Sequence, residues 1–272
     1  MIKRVGLRFN NSIVSPFNSH KVKVYADYLI AWIRQKVKSA KCNGCVVGVS
    51  GGIDSALTIA LCAKAFPNDT LGIVMPIDNM DHEKQDIDEL AQLLGLKFKT
   101  VDLAPSFNSL KKATSDINNN MAISNIKPRL RMATLYAYAQ QNKYLVVGTD
   151  NEDEYFIGYF TKYGDGGVDI LPLSNLLKSE VRELAKYLKI PINIINKKPS
   201  AGLWEGQSDE DELGFTYTDL DKYLMNDVDN INLQSVEKIK KMNKASSHKR
   251  NLPSRPYSID EYFKINRKKK RG

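Results

Sequence analysis

Hydrophobic positions along this sequence follow two patterns: short β-branched runs, and longer segments in which apolar residues recur every three or four positions. The short runs predict buried strands, and the longer segments predict helices with one apolar face. The predicted strands are residues 45–49, 71–75, 98–103 and 144–147. The predicted helices are residues 22–38 and the segments around Leu57, Leu90, Ala133 and Leu184.

The alternation of strands and helices at these spacings indicates an α/β fold, a doubly wound parallel sheet flanked by helices. The chain of 272 residues is long enough for one large domain with a buried core. We see no internal repeat and no clear second domain, so we expect residues 1–257 to form a single domain. Residues 197–214 and 244–257 are the best candidates for long mobile loops.

The positive charge of the chain is concentrated at one end. The sequence has 40 Lys and Arg residues and 31 Asp and Glu residues, a net charge of +9. Residues 236–272 contain 13 basic and 3 acidic residues, a balance of +10, which leaves −1 for the rest. A nucleic-acid binder would instead interleave basic and aromatic residues over a folded surface, so no nucleic-acid partner is expected. We predict that residues 258–272 form a basic tail, disordered over 267–271.

Membrane insertion and secretion are not expected, because the sequence lacks an apolar run of about 18 residues and an apolar signal core. The predicted location is the cytoplasm. Cys42 and Cys45 form a lone CxxC pair, and Cys62 is the third thiol. A zinc site would need further ligands, and a redox pair is conceivable. Incidental thiols in a reduced cytosol are the better interpretation.

The segment SGGIDS, residues 50–55, lies between the first predicted strand and the helix that follows. Its paired glycines let backbone amides approach an anion, and the helix N-terminus adds further donors. Asp54 is an unexpected charge beside phosphates, and a divalent cation held between them best explains it. The alternative is an ordinary glycine-rich turn in which Ser or Asp caps the helix. The segment is not a Walker loop, since no GxxxxGK[ST] occurs.

This turn resembles the SGGxDS loop of the N-type ATP pyrophosphatases, which adenylate a carbonyl oxygen and release pyrophosphate. Four later segments resemble those of NAD synthetases in their order and spacing: residues 125–132, 147–173, 198–214 and 248–250. The resemblance extends over residues 22–250 and implies an adenine nucleotide alpha hydrolase-like fold. Other pyrophosphatase-loop enzymes, of the GMP-synthetase or tRNA-thiolating type, share the ATP loop but not KYGDGGVD or QSDEDELG.

The resemblance implies ATP as co-substrate and Mg²⁺ as cofactor, with Asp54 and Lys178 as catalytic residues and Asp54 and Glu154 as metal ligands. Glu154 also follows a predicted strand end on the same face as the turn. Taken alone, Lys178 would be a solvated cation, and most of the acidic cluster at 150–154 a solvated helix start. Ser200 stands where the family usually has threonine. The implied ATP contacts are Gly48, Val49, Ser50, Gly51, Gly52, Ile53, Asp54, Ser55, Thr149, Lys178 and Ser200.

The resemblance also implies a binding site for deamido-NAD, although each of its segments has a simpler interpretation. Residues 162–167 are also typical of a surface hairpin, and the His-Lys pair at 248–249 of an ordinary polar surface. The acidic residues 205–212 resemble a loop that closes over the site and excludes water. The implied substrate contacts are Arg129, Lys162, Asp169, His248 and Lys249.

In the implied reaction, the nicotinate carboxylate of deamido-NAD attacks the α-phosphate of ATP, and ammonia then converts the adenylate to NAD and AMP. The sequence has no room for a glutaminase domain ahead of the first helix, so ammonia, free or from a separate partner, is the expected donor. The family is homodimeric. Residues 22–38, with Tyr25, Tyr28 and Trp32, are a candidate interface, and an ordinary core helix is a comparably good interpretation.

Overall fold

The computed structural model of the chain describes residues 19–199 and 208–269. Its strands are β1 (Gly44–Gly48), β2 (Thr70–Val74), β3 (Lys99–Thr100) and β4 (Tyr144–Val146). Its α-helices are α1 (Ser19–Ser39), α2 (Ile53–Ala65), α3 (Asp81–Leu94), α4 (Ala104–Ala113), α5 (Asn120–Ser124), α6 (Ile126–Asn142), α7 (Glu152–Ile157), α8 (Lys178–Tyr187), α9 (Ile192–Asn196), α10 (Asp209–Leu213), α11 (Tyr217–Leu224), α12 (Leu233–Ala245) and α13 (Ile259–Lys269). Short 3-10 turns lie at Val228–Asn230 and Ser247–Lys249.

A parallel sheet in the strand order β3-β2-β1-β4 forms the centre of the fold. The first strand lies between two neighbours, because Cys45 pairs with Thr70 and Gly44 pairs with Tyr144. This arrangement confirms the predicted doubly wound α/β class. The strand expected over residues 98–103 is shorter than predicted, since only the two residues of β3 pair with β2, at the exposed edge of the sheet.

Successive residues of β1 point to opposite faces of the sheet and enter two different apolar clusters. Cys45 and Val47 pack in the larger cluster, which also contains residues of α1, α2 and α8. Val46 packs on the other face, in a cluster that includes Ala139 of α6. Burial on both faces explains why residues 45–49 read as a continuous apolar run rather than an alternating one.

A third apolar cluster lies beyond the sheet and joins α7, α10, α11 and α12. It holds α11 against α7 and against the start of α8. The two segments predicted as long mobile loops are therefore partly ordered, and the prediction is wrong there. Residues 197–214 include α10, and residues 244–257 begin with the end of α12 and a 3-10 turn. The buried members of the cluster are Ile157, Leu177, Leu213, Phe215, Leu220, Leu224 and Ile239.

Helix α1 contributes one apolar face to the core. Val22, Ile33 and Val37 are fully buried there, whereas Tyr28 on the same helix is exposed. The interpretation of residues 22–38 as a core helix is therefore confirmed for this face. Among the described residues, no helix has both the length and the apolar character needed to cross a membrane.

The C-terminal end of the described chain lies at the surface. Every residue from 251 to 264 is exposed, and α13 continues to Lys269. Residues 267–269 are therefore helical, where the sequence predicts a disordered tail. The last two residues of the predicted basic run, Lys270 and Arg271, lie outside the described residues.

Leu184 of α8 is fully buried in the large cluster, whereas Leu233 at the start of α12 is 79% exposed. Leu184→Ala leaves a cavity beneath the helix that begins with Lys178, so we expect it to lower the free energy of unfolding by about 3 kcal/mol. Leu233→Ala is the matched control and should change it by less than about 0.5 kcal/mol. Urea denaturation measures both, and equal losses would contradict the assigned core.

Candidate active site

The SGGIDS turn connects the carboxyl end of β1 to the first residue of α2. Gly51 has a φ of +80°, a backbone conformation that favours glycine, and a Cβ there would meet the Glu83 side chain at 3.0 Å. The N-cap residue of α2 is Gly52, which makes no side-chain cap, so the predicted alternative of a Ser or Asp cap is wrong. The turn thus presents a helix N-terminus that can receive an anion.

The two serines of the turn are joined by hydrogen bonds. The hydroxyls of Ser50 and Ser55 lie 3.0 Å apart, and Ser55 Oγ donates to the carbonyl of Gly52 at 3.0 Å. The amide of Gly52 in turn donates to Ser50 Oγ at 3.2 Å. These bonds stabilise the conformation of the turn. None of them uses the backbone amides of residues 53–55, the first residues of the helix.

Thr149 lies at the same edge of the sheet as this turn. Strands β1 and β4 are parallel neighbours, and Thr149 follows the carboxyl end of β4 as the turn follows the carboxyl end of β1. Neighbouring parallel strand ends of this kind are where doubly wound sheets bind ligands. The predicted ATP contact at Ser200 lies outside the described residues.

A buried lysine joins the two carboxylates that the sequence predicts as metal ligands. Lys178 Nζ lies 2.6 Å from Asp54 Oδ2 and 3.0 Å from Glu154 Oε1. It also lies 4.8 Å from the centre of the Tyr217 ring, and the lysine is only 2% exposed. The structure therefore brings together residues from α2, α7, α8 and α11.

The charge state of this cluster follows from its burial and its neighbours. Burial alone lowers the pKa of Lys178, but the carboxylates of Asp54 and Glu154 reverse this, so its pKa lies above the ordinary value. Burial raises the pKa of Glu154 to about 7, although the Lys178 ammonium opposes the shift, and the nearby charge of Asp54 adds to it. The lysine therefore stays charged, while Glu154 titrates close to neutral pH.

Asn151 fixes this geometry, and sequence reasoning missed it. Its side chain accepts a hydrogen bond from the Glu154 amide at 3.0 Å, and Glu154 Oε2 accepts one from the Asn151 amide at 3.2 Å. Asn151 Nδ2 also donates to Asp54 Oδ1 at 2.9 Å. The signal was present in the sequence, because Asn followed three residues later by Glu is the pattern of a capping box.

The acidic cluster before Lys178 is buried, so the prediction that most of it is a solvated helix start is wrong. Three of its residues are buried by the elements that pack around α7. They are Asp150, Glu152 and Asp153, and none is more than 4% exposed. Burial raises the pKa of Asp153 well above its ordinary value, and Asp221 beside it adds to the effect. The cluster is therefore part of the buried interior around α7 and not an exposed helix start.

Asp153 and Asp221 hold the helix that carries the lysine. Asp153 Oδ2 accepts a hydrogen bond from the amide of Lys178 at 2.7 Å, and Asp221 Oδ2 accepts one from the amide of Ser179 at 3.3 Å. The first turn of α8 is thereby anchored to α7 and α11.

Four of the five predicted substrate residues form a second group. Arg129 Nη2 donates to the carbonyl of Lys162 at 3.3 Å, and Lys162 Nζ donates to the carbonyl of His248 at 2.6 Å. Lys249 Nζ donates to the carbonyls of Gly158 and Phe160 at 2.8 and 2.6 Å. Three segments distant in sequence thus meet, and the two lysines contact backbone oxygens.

Asp169, the fifth predicted substrate residue, is held from two sides. Its Oδ1 accepts a hydrogen bond from the Tyr136 hydroxyl at 3.0 Å, and its Oδ2 accepts one from the Val146 amide at 2.8 Å. Asp169 and Lys249 line a cavity of about 280 Å³ at the carboxyl edge of the sheet. Its other lining residues are Asp150, Tyr155, Phe160, Gly166, Val168, Ile170, Leu171, Arg250, Asn251 and Leu252.

Asp54 and Glu154 fit a magnesium ion bound together with phosphates. Mg²⁺ in nucleotide sites is commonly held by one or two carboxylates, with substrate phosphates and water completing its shell. In the part of the chain that the structure describes, no cluster of three or more His, Cys, Asp or Glu side chains forms a metal site by itself. The two carboxylates converge on one cation, the Lys178 ammonium, so both side chains face the same point beside the SGGIDS turn.

A sequence model of the NAD synthase family matches residues 25–253. The chain belongs to this family. An NH(3)-dependent NAD(+) synthetase from Mycoplasmopsis pulmonis is 52% identical over 239 residues, which cover 88% of this chain and 92% of that one. The enzyme of the same description from Finegoldia magna is 53% identical, over 82% of this chain and 91% of that one. These relatives confirm the resemblance to ammonia-dependent NAD synthetases, and the protein is an enzyme.

Solved structures of NAD synthase relatives share the fold. An NMN synthetase from Francisella tularensis superposes with a TM-score of 0.83 at 40% identity, covering 89% of this chain and all of that one. An NH3-dependent NAD synthetase from Campylobacter jejuni gives a TM-score of 0.75 at 28% identity with similar coverage. The predicted adenine nucleotide alpha hydrolase-like fold is thereby confirmed.

In the absence of magnesium, the wild-type protein should lose stability relative to Glu154→Gln as the pH rises from 5 to 8. The folded-state pKa of about 7 exceeds the ordinary value of 4.5, so the folded chain binds this proton more tightly than the unfolded chain. Ionisation therefore opposes folding in this interval, by about 1–3 kcal/mol relative to the variant.

Urea unfolding in chelator at several pH values measures this difference. Glu237→Gln, at an exposed position of α12, is the control and should follow the wild type at every pH. If the difference in the free energy of unfolding between the wild type and Glu154→Gln stays constant over this pH range, Glu154 does not titrate there.

Proposed function

We propose that the protein converts deamido-NAD to NAD with ATP and ammonia, through an adenylated intermediate, and releases AMP and pyrophosphate. The observation that carries the proposal is the Lys178 ammonium, which is held between Asp54 and Glu154 beside the SGGIDS turn. This turn, residues 50–55, is the phosphate turn of the proposed site. A glycine turn, a helix N-terminus, a lysine and two carboxylates together suit a nucleoside triphosphate with its divalent cation. Membership of the NAD synthase family supports the choice of reaction.

In the first step, a carboxylate oxygen of the nicotinate attacks the α-phosphorus of ATP, and the bond from that phosphorus to the bridging oxygen breaks. The amides of residues 53–55, at the N-terminus of α2, bind the phosphates. Lys178 stabilises the negative charge that develops on the departing pyrophosphate. Asp54 and Glu154 would hold magnesium, which neutralises phosphate charge when it is bound.

In the second step, ammonia attacks the acyl carbon of the adenylate, AMP leaves, and a proton is released. The chain contributes positioning and electrostatic stabilisation in both steps, and no covalent intermediate with the protein is required. The relatives described as NH(3)-dependent support ammonia as the donor, because they match this chain over more than nine-tenths of their length.

Deamido-NAD would bind at the second group of residues. Lys162 and Lys249 donate to backbone carbonyls, and an anionic substrate would replace these partners with phosphate or carboxylate oxygens. Arg129 and His248 lie beside them and add positive charge or hydrogen bonds. Asp169 accepts hydrogen bonds, the role that a carboxylate plays toward ribose hydroxyls in other dinucleotide folds.

Three further expectations belong to this proposal. The enzyme would act as a homodimer, since the resemblance implies one with the dinucleotide bound near the subunit boundary. It would work in the cytoplasm on small-molecule substrates, without a nucleic-acid partner. Residues 1–257 would form the synthetase domain, and residues 258–272 a basic C-terminal tail.

A mononucleotide acceptor is the second candidate substrate. The structure of similar fold from Francisella tularensis is described as an NMN synthetase, and it is 40% identical to this chain. The chemistry at the carboxylate is the same for a nicotinate mononucleotide and for the dinucleotide. The two candidates therefore differ only in whether the site recognises the adenylate half of the acceptor.

Purified enzyme given ATP, magnesium, ammonium and deamido-NAD should form NAD, AMP and pyrophosphate in equal amounts. A parallel assay with nicotinate mononucleotide should give a kcat/KM at least about tenfold lower, because the missing adenylate contacts remove binding energy. Chromatography of the nucleotides measures both. A higher kcat/KM for the mononucleotide would select the second candidate, and absence of both products despite ATP binding would refute the synthetase function.

Asp54→Ala should abolish magnesium-dependent turnover, a loss of at least about 10³-fold, because one metal ligand and one partner of Lys178 are removed. Circular dichroism should show that the fold is retained. Asp88→Ala, at an exposed position of α3, is the matched control and should keep normal turnover. Near-normal activity of Asp54→Ala would contradict its role in binding the metal.

A further inference from the structure

Tyr217 occupies a position in the site that neither the sequence motifs nor the family resemblance draws attention to. It is the first residue of α11, is 2% exposed, and its ring lies over the Lys178 ammonium at 4.8 Å. The helix start is fixed by a capping box between Thr216 and Asp219, and the Tyr217 amide donates to Glu210 Oε1 at 2.9 Å. The backbone that carries the ring is therefore fixed at the start of the helix.

The hydroxyl of Tyr217 lies between two carboxylates. It is 3.0 Å from Asp209 Oδ2 and 3.3 Å from Glu154 Oε1. Burial, with the charges of Glu154 and Asp209, raises the pKa of Tyr217 well above its ordinary value, so the hydroxyl remains a donor. One phenol thus contacts both a presumed magnesium ligand and the first residue of α10.

Helix α10 is tied to the same group through a second tyrosine. Tyr159 Oη donates to Asp209 Oδ1 at 3.2 Å and lies 2.8 Å from Glu212 Oε2. A continuous series of contacts therefore runs from α10 through Asp209 and Tyr217 to Glu154 and Lys178.

The ring has a physical task at this position. A lysine side chain has four rotatable bonds, and its ammonium is strongly hydrated in water. Buried here, Lys178 contacts the carboxylates of Asp54 and Glu154, and the ring face of Tyr217 supplies attraction in place of water. Without the ring, the ammonium would have space to move away from the line between Asp54 and Glu154.

We propose that Tyr217 is a positioning residue that holds the Lys178 ammonium in place with its ring and links this lysine to α10 through its hydroxyl and Asp209. The kinetic part of the proposal rests on the proposed function, in which Lys178 contacts the departing pyrophosphate. The structural part, the ring over the ammonium, does not depend on it.

NMR of protein labelled in lysine with ¹³C tests the structural part. The ε-methylene signals of Lys178, identified by their loss in Lys178→Gln, should lie upfield of the other lysines because the ring current shields them. Tyr217→Phe should keep this shift, and Tyr217→Leu should abolish it. Signals at ordinary positions in the wild type would overturn the proposal, whether or not the protein proves to be a synthetase.

Steady-state kinetics test the positioning role. Tyr217→Phe keeps the ring and should lower kcat by about tenfold, the effect of one lost hydrogen bond to a charged group. Tyr217→Leu should lower kcat by about 100-fold. KM values for ATP and deamido-NAD should change less than about threefold, because the contact with pyrophosphate strengthens only in the transition state.

Tyr223→Phe on the same helix is the matched control, since its ring packs in the third apolar cluster. It should leave kcat within about twofold of the wild type. If Tyr217→Leu does not fold, Tyr217→Phe still tests the role of the hydroxyl, because phenylalanine keeps the ring and nearly the same side-chain volume. A kcat for folded Tyr217→Phe equal to that of Tyr223→Phe would overturn the role of the hydroxyl.

A double-mutant cycle tests the link to α10. Asp209→Asn keeps the size of the side chain and removes its charge. If Asp209 acts through Tyr217, Asp209→Asn should lower kcat by about tenfold in the wild type and by less than about twofold in Tyr217→Phe. If Asp209→Asn lowers kcat by the same factor in the wild type and in Tyr217→Phe, α10 and Lys178 are not coupled through this tyrosine.

Discussion

The ammonium of Lys178 is almost completely removed from water, and a buried charge of this kind costs several kcal/mol unless opposite charges and hydrogen bonds compensate it. Asp54 and Glu154 supply that compensation at 2.6 and 3.0 Å. Each comes from a different helix, so the ion pairs also fix α2, α7 and α8 relative to one another. The arrangement of the site therefore depends on keeping this lysine charged and paired.

The surrounding elements all limit the freedom of this cluster. Asn151 holds Glu154 through the capping box of α7 and holds Asp54 through a hydrogen bond from its Nδ2, and Asp153 anchors the amide of Lys178 itself. The third apolar cluster holds α11 beside them, which brings the Tyr217 ring over the ammonium. A group that is positioned from every side loses little entropy when a substrate binds, which is a general condition for electrostatic stabilisation of a transition state.

The nucleotide and acceptor sides of the proposed site lie at neighbouring strands of the sheet. The phosphate turn ends β1, and Asp169 lies against β4, the neighbouring strand in the sheet. The acceptor residues Lys162 and Lys249 make their hydrogen bonds to backbone carbonyls from other segments. The residues around the phosphates are held rigidly, whereas the acceptor residues have hydrogen-bond partners that a substrate can replace. This combination suits a reaction in which ATP is positioned first, and the nicotinate carboxylate and then ammonia react in turn.

The sequence by itself determined the strands, the phosphate turn and the family, because these depend on local hydrophobic periodicity and on motifs of contiguous residues. It also predicted the pairing of Asp54 with Glu154, since both follow the ends of parallel strands. Only the tertiary structure decided that the acidic residues at 150–153 are buried and that Tyr217 covers Lys178. The physical reason is that burial and these contacts arise when helices distant in sequence pack together. Lys178 is 24 residues from Glu154 and 124 residues from Asp54, and no local pattern records such contacts.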